Sequence, residues 1–173
     1  MTIQEADNLI VSPTLTWMGK PYDVLMARIL LLAIGWQETQ FRTRFQDGGG
    51  PARSFWQFEF GHSAKGDAAG YAFCKSKSAA PFRKMANNLH MVVTDPKVVK
   101  AQLGAGNDRL ACIMARWLLY QDPHPLPSLV SKTQDKEGWD YYVRNWGPGK
   151  PRPKDWFGEN GSFNLAIKQI MIK

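Results

Sequence analysis

The chain has 173 residues and a formal charge of +7, from 22 Lys plus Arg against 15 Asp plus Glu. With 44% hydrophobic and 21% charged residues it has the composition of an ordinary globular protein, which excludes a wholly disordered chain. At this length about two thirds of the unfolded surface can be buried, so a single domain over residues 1–173 needs neither a disulfide nor a metal to fold. The basic balance predicts attraction to a polyanion: nucleic acid, anionic lipid or an acidic wall polymer.

In chain order, residues 3–11 read as a short amphipathic helix that Ser12-Pro13 ends. The first seven residues carry acids where a secretion signal carries a basic region and an apolar core, so no signal peptide is expected. Pro21 and Asp23 then open the strongest element, a helix over about residues 22–41. Leu25, Ile29, Leu32 and Trp36 recur at helical spacing, and Met26, Leu30 and Ala33 fill the adjacent stripe. A helix apolar on most faces is a buried central helix. Its longest apolar run, residues 24–36, is broken by Arg28 and is too short to span a bilayer.

Asp47-Gly-Gly-Gly-Pro51 is a break. The aromatic segment 54–60 after it fits a short strand or a loop packed on the core. Residues 61–80 read as an irregular loop with a turn of helix near 68–74. Helices follow at about 82–93, 96–103 and 107–121, the last with Asn107 or Asp108 as its cap. Pro123, Pro125 and Pro127 force an extended connection. A helix over about 132–146 is ended by Gly147-Pro-Gly-Lys-Pro-Arg-Pro153, and a last amphipathic helix covers 162–172. No repeat or linker divides the chain. The fold class is mainly α, one domain.

Glu38 is the most informative single residue. It sits near the C-terminal end of the apolar helix, where burial and the helix dipole both favour the protonated carboxyl. A carboxylic acid still protonated near neutrality can protonate a leaving group such as a glycosidic oxygen. The plainer reading makes it the first polar residue of a helix end, solvated or paired with Arg42 at i+4.

Other chemistries lack their residues. Gly48-Gly49-Gly50 is followed by Pro-Ala-Arg, not by the Gly-Lys-Ser/Thr of a phosphate loop. His62, His90, His124, Cys74 and Cys112 have no metal-ligand spacing, so neither metal nor cofactor is expected, although one Cys74–Cys112 bridge stays open. No Gly-x-Ser-x-Gly elbow exists. The basic stretch 149–154 interleaves prolines and has no recognition helix behind it, so nucleic acid is not the expected partner.

Glu38-Thr-Gln-Phe41, the Gly-rich break and Pro51-Ala-Arg-Ser-Phe-Trp-Gln57 together resemble the signature of lytic transglycosylases with the goose-lysozyme-like fold. That family has a Glu-Ser-x-Phe-like end to a buried helix, then a Gly-Ala-x-Gly-Leu-Met-Gln-like segment. Glu38 takes the place of the catalytic glutamate, Thr39 that of the serine and Phe41 that of the aromatic. Ala52 takes the alanine position, and Ser54, Phe55, Trp56 and Gln57 take Gly-Leu-Met-Gln. Tyr141-Tyr-Val-Arg-Asn-Trp-Gly-Pro-Gly149 is similar to the family's third signature, a Tyr-Asn-Ala-Gly-Pro-Gly-like stretch. The match covers residues 24–60 and about sixteen near the C-terminus. It is nearest to compact versions encoded by bacteriophages.

There are departures. Ser54 replaces a glycine that permits close backbone approach, and Asn145-Trp146 stands where Asn-Ala is usual. Either Tyr141 or Tyr142 takes the tyrosine position.

The resemblance implies a lysozyme-like domain that cleaves the β-1,4 bond between N-acetylmuramic acid and N-acetylglucosamine, leaving a 1,6-anhydro end. Glu38 would be its single acid/base. Thr39, Ser54, Phe55, Trp56, Gln57, Glu59, Tyr142, Asn145 and Trp146 would contact glycan, with Trp56, Tyr142 and Trp146 as cleft walls, while Trp36 and Trp117 read as core. Arg42, Arg44 and Arg53 read either as a surface for wall-peptide carboxylates or as a solvated face. A second carboxylate opposite Glu38, Asp47 or Glu59, would instead make a hydrolytic lysozyme. The partners implied are peptidoglycan strands and other tail or ejected virion proteins. The enzyme would reside in the virion or the host cytoplasm and act at the cell wall. A rival of another class is a structural virion protein with the same fold and little activity.

Overall fold

A computed structural model describes residues 1–63 and 66–171. Its helices are α1 (Ile3–Ala6), α2 (Ser12–Met18), α3 (Leu25–Thr39), α4 (Ala69–Lys75), α5 (Ala80–Asn87), α6 (Pro96–Gly104), α7 (Asp108–Gln121), α8 (Gln134–Trp146) and α9 (Ser162–Met171). Strand among the described residues is a two-residue antiparallel pair, β1 (His62–Ser63) with β2 (Gly66–Asp67). The fold is mainly α, as periodicity predicts. No helix among the described residues is long and apolar enough to cross a membrane.

The first helix does not stop at Ser12-Pro13. The chain passes from α1 through a π-helical turn, Asp7–Val11, into α2. Pro13 has no amide hydrogen, so a plain α-helical ladder would leave the Leu9 carbonyl without its donor. In the wider turn the Ser12 amide reaches back to the Asp7 carbonyl, and Pro13 falls in the first turn of α2, where it breaks nothing.

The central helix α3 is shorter than the expected 22–41. Val24 is extended (φ −126°, ψ 146°), so Pro21 and Asp23 lie outside the helix. Asp23 serves Arg28 instead of the helix dipole, accepting from Nε at 2.7 Å and Nη2 at 2.6 Å. From Met26 to Gly35 every residue except Arg28 is buried. The π turn, α1, α7, α8 and α9 pack round it, α9 most extensively. Burying each large apolar side chain contributes roughly 1.5–3 kcal/mol, which offsets the ordering cost of a 15-residue helix.

The far face of the core belongs to α7, whose residues 110–119 are all buried and which touches α2, α4, α5 and α6. Asn107 is its cap, Oδ1 accepting the Leu110 amide at 3.1 Å. Expected boundaries shift elsewhere. Helix α5 ends at Asn87 rather than 93, and His90 then takes φ 59°. Helix α8 begins at Gln134, two residues after the expected start. For the last helix, residue 172 lies outside the described residues. Cys74 and Cys112 are free and buried, which removes the bridge left open by the sequence. Burial pushes their thiols up to about 11 and about 12.

Candidate active site

The C-terminal end of α3 turns sharply. Gln40 (φ 51°) and Phe41 (φ 53°) are both left-handed, which folds the Phe41 ring back on the helix. That needs Gly35, since a Cβ there would lie 2.5 Å from two Phe41 ring carbons. Phe41 then meets Phe55 and Trp56 edge-on.

The aromatic segment is the packed loop rather than a strand. Arg53 bridges to Phe45 and Phe58 while residues 54–57 make a tight turn, and Phe55, Trp56 and Phe58 are buried. Ser54 takes φ 73°, in the left-handed region that favours glycine, the residue the resembling motif carries at this position. Its hydroxyl holds the turn by accepting the Trp56 amide at 3.2 Å.

The α3 end, this loop and the segment after α8 enclose a cleft of about 1700 Å³. Glu38 lines it, half-buried. Its Oε1 accepts the hydroxyl of Tyr142 at 2.7 Å, joining residues 104 apart in sequence. Tyr142 is clamped by ring stacking on Trp156 (5.4 Å, 10°) and by Trp139. Burial raises the Glu38 carboxyl above the ordinary carboxylate range, while the Tyr142 hydroxyl and the Arg152 charge pull partly against it. Burial and the neighbouring Glu38 raise the Tyr142 phenol, so it stays a donor. Among the described residues no hydrogen bond falls on Oε2, so the carboxyl is held through Oε1 alone.

Of the residues expected at the site, Thr39, Gln57, Glu59, Tyr142 and Trp146 line this cleft with Glu38. Thr39 Oγ1 donates to the carbonyls of Gly35 and Phe55, tying the helix end to the loop. Gln57 Nε2 donates to Ser54 O at 2.8 Å, and Trp146 Nε1 donates to Trp56 O at 3.0 Å.

The others are corrected. Ser54, Phe55 and Trp56 are buried in the core, because left-handed Ser54 (φ 73°) and Gln57 (φ 52°) turn the segment on itself and break the alternation of a strand; Trp56 is no cleft wall and donates to Leu31 O. Asn145 turns away, donating to Asp122 Oδ2 at 2.6 Å and to Tyr141 O. Tyr141 bonds the Leu119 and His124 carbonyls, so of the two tyrosines Tyr142 is the one at Glu38. Trp36 is half-buried, packing against the core and also lining the cleft, whereas Trp117 is fully in the core. Arg42 also lines the cleft, but Arg44 pairs with Asp108 and Arg53 bonds the Gly50 and Ala52 carbonyls. Asp47 and Glu59 are exposed along the cleft.

Sequence reasoning missed Gln37 and Arg152. Gln37 is buried, and Arg152 follows it by 115 positions, with no local signal joining them. Among the described residues no group of three His, Cys, Asp or Glu gathers as metal ligands would. Comparison with protein families, curated proteins and solved structures finds no match to the chain.

Proposed function

We propose that the chain is a peptidoglycan lytic transglycosylase with Glu38 as its acid/base. The observation that carries the reading is a half-buried carboxyl in an open cleft, raised by burial and fixed on one oxygen by Tyr142 at 2.7 Å. The same bond brings together the two separate stretches of sequence that resemble the family. Glu38 would give its Oε2 proton to the bridging oxygen as the bond from that oxygen to muramoyl C1 breaks. The carboxylate would then take the proton of the muramoyl 6-hydroxyl as that oxygen bonds to C1. The cycle returns a protonated Glu38 and consumes no water. The aromatic walls Trp36, Trp146 and Phe157 suit the apolar faces of sugar rings. A bacteriophage setting, with glycan strands and virion proteins as partners, belongs to this proposal.

One observation favours hydrolysis as a second reading: Asp47 and Glu59 stand along the same cleft and offer a second carboxylate. The masses of fragments released from purified peptidoglycan separate the two. Glycan ends lighter by one water mean transglycosylation; reducing ends mean hydrolysis. No release by folded protein overturns both and leaves the structural virion protein.

A further inference from the structure

The side chain of Gln37 is 3% exposed, yet all its polar atoms are engaged. Its Nε2 donates to Arg152 O at 2.9 Å, and its Oε1 accepts the Ser162 hydroxyl at 3.0 Å. Its own backbone carbonyl, one of the last of α3, accepts Nη2 of Arg152. The carbonyls ending a helix lack intrahelical donors and carry the negative end of the dipole, so a guanidinium there is doubly favourable. Arg152 also pairs with Asp155 at 3.1 Å. The segment held this way is Gly147 to Asp155, which leaves α8 beside Trp146 and lines the cleft.

We propose that Gln37 is a positioning residue: by clasping Arg152 through bonds in both directions it fixes the 147–155 wall of the cleft and keeps the guanidinium one residue from Glu38. This rests on the reading of Glu38 as acid/base. An acid that must become a base in the next half of the cycle cannot hold its proton too tightly, and a nearby cation eases the release. The groups facing Glu38 are the Tyr142 hydroxyl from α8 and the Arg152 charge from the 147–155 segment, with Asp155 paired to the latter. Farther along the cleft stand Arg42, Asp47 and Glu59.

The test is the carboxyl carbon shift of Glu38 followed by NMR against pH in protein without substrate, for wild type, Arg152→Met, Gln37→Asn and the double variant. Arg152→Met moves the Glu38 midpoint to higher pH. Gln37→Asn, which shortens the clasp but keeps an amide in the core, moves it the same way, and the double variant moves it no further than Arg152→Met. Arg152→Lys restores part of the shift. An unmoved midpoint in Arg152→Met, or a Gln37→Asn midpoint equal to wild type, overturns the clasp. Should Gln37→Asn fail to fold, Ser162→Ala loosens the same amide and is held to the same criterion. Because no substrate is present, a failed clasp is distinct from a failed enzyme reading, which peptidoglycan digestion tests alone.

Discussion

Helices α3 and α7 are both buried, and each carries an acid or base whose ionisation burial perturbs, Glu38 in the first and Arg116 in the second. Glu38 of α3 opens on the cleft and meets a phenol hydroxyl at 2.7 Å. Arg116 of α7 is 2% exposed and does not line that cleft. Its Nε donates to Tyr22 O at 2.8 Å, the Tyr120 ring lies 5.3 Å from its guanidinium carbon, and Nη1 is buried with no hydrogen-bond partner among the described residues. Burial perturbs both, raising the carboxyl and lowering the guanidinium. A perturbed titration therefore does not mark a site by itself. Access and a positioned donor distinguish Glu38, whereas Arg116 ties the Tyr22 turn to the core.

The contrast breaks first at Glu38→Gln. On the proposed function, cleavage of peptidoglycan falls by about 10³-fold, the middle of the range that general acid–base catalysis contributes. The same variant is more stable than wild type at neutral pH. A carboxyl raised on folding favours its protonated form, so the cost of ionising Glu38 grows as pH climbs above the unfolded value; below that value the variant and wild type converge. Denaturant melts at two pH values read this directly.

Gly35→Ala comes next, at about 1–3 kcal/mol of stability, because its methyl strikes the Phe41 ring on which the site's turn is built. Equilibrium unfolding measures it. Tyr142→Phe costs roughly tenfold in kcat/KM and leaves the fold intact, since the ring stacking stays while the bond to Glu38 goes. Its pH profile also moves: without the phenol donor, Glu38 holds its proton to higher pH.

Asp122 shows the opposite sign. Burial alone would raise it, but Arg144, His124 and Asn145 hydrogen-bond its carboxylate and hold it below the ordinary range. Its stabilisation is complete above the unfolded carboxylate value and is lost as pH falls below it. Asp122→Asn should therefore flatten the acid limb of the stability curve. Smallest of all is Arg116→Met, which leaves cleavage unchanged and alters stability by about 1 kcal/mol or less, as removal of a poorly paired buried charge offsets the lost bond.

Much of the core was legible in the sequence. The apolar stripes of α3 and α7, the Asn107 cap and the glutamate at the end of α3 all express a 3.6-residue period or a local capping rule, and these depend only on neighbours. Pro13 misled because a π turn can absorb a proline that an α-helix cannot. Phe55 and Trp56 misled because two positive-φ residues, Ser54 and Gln57, turn the segment on itself, so motif alignment gave their positions but not their direction. The Gln37–Arg152 clasp and the Asp122 node join residues far apart in sequence, and no periodicity records such pairs.

Burial raises the Glu38 carboxyl, and the proposed acid role requires its protonated form in the working enzyme. The most direct test sets the pH dependence of peptidoglycan cleavage beside the NMR titration of the Glu38 carboxyl in the same protein. The account predicts that cleavage declines on the alkaline side with the midpoint at which Glu38 ionises, and that both lie above the ordinary carboxylate range. A Glu38 that ionises in that ordinary range, or cleavage that persists after Glu38 has lost its proton, would contradict it.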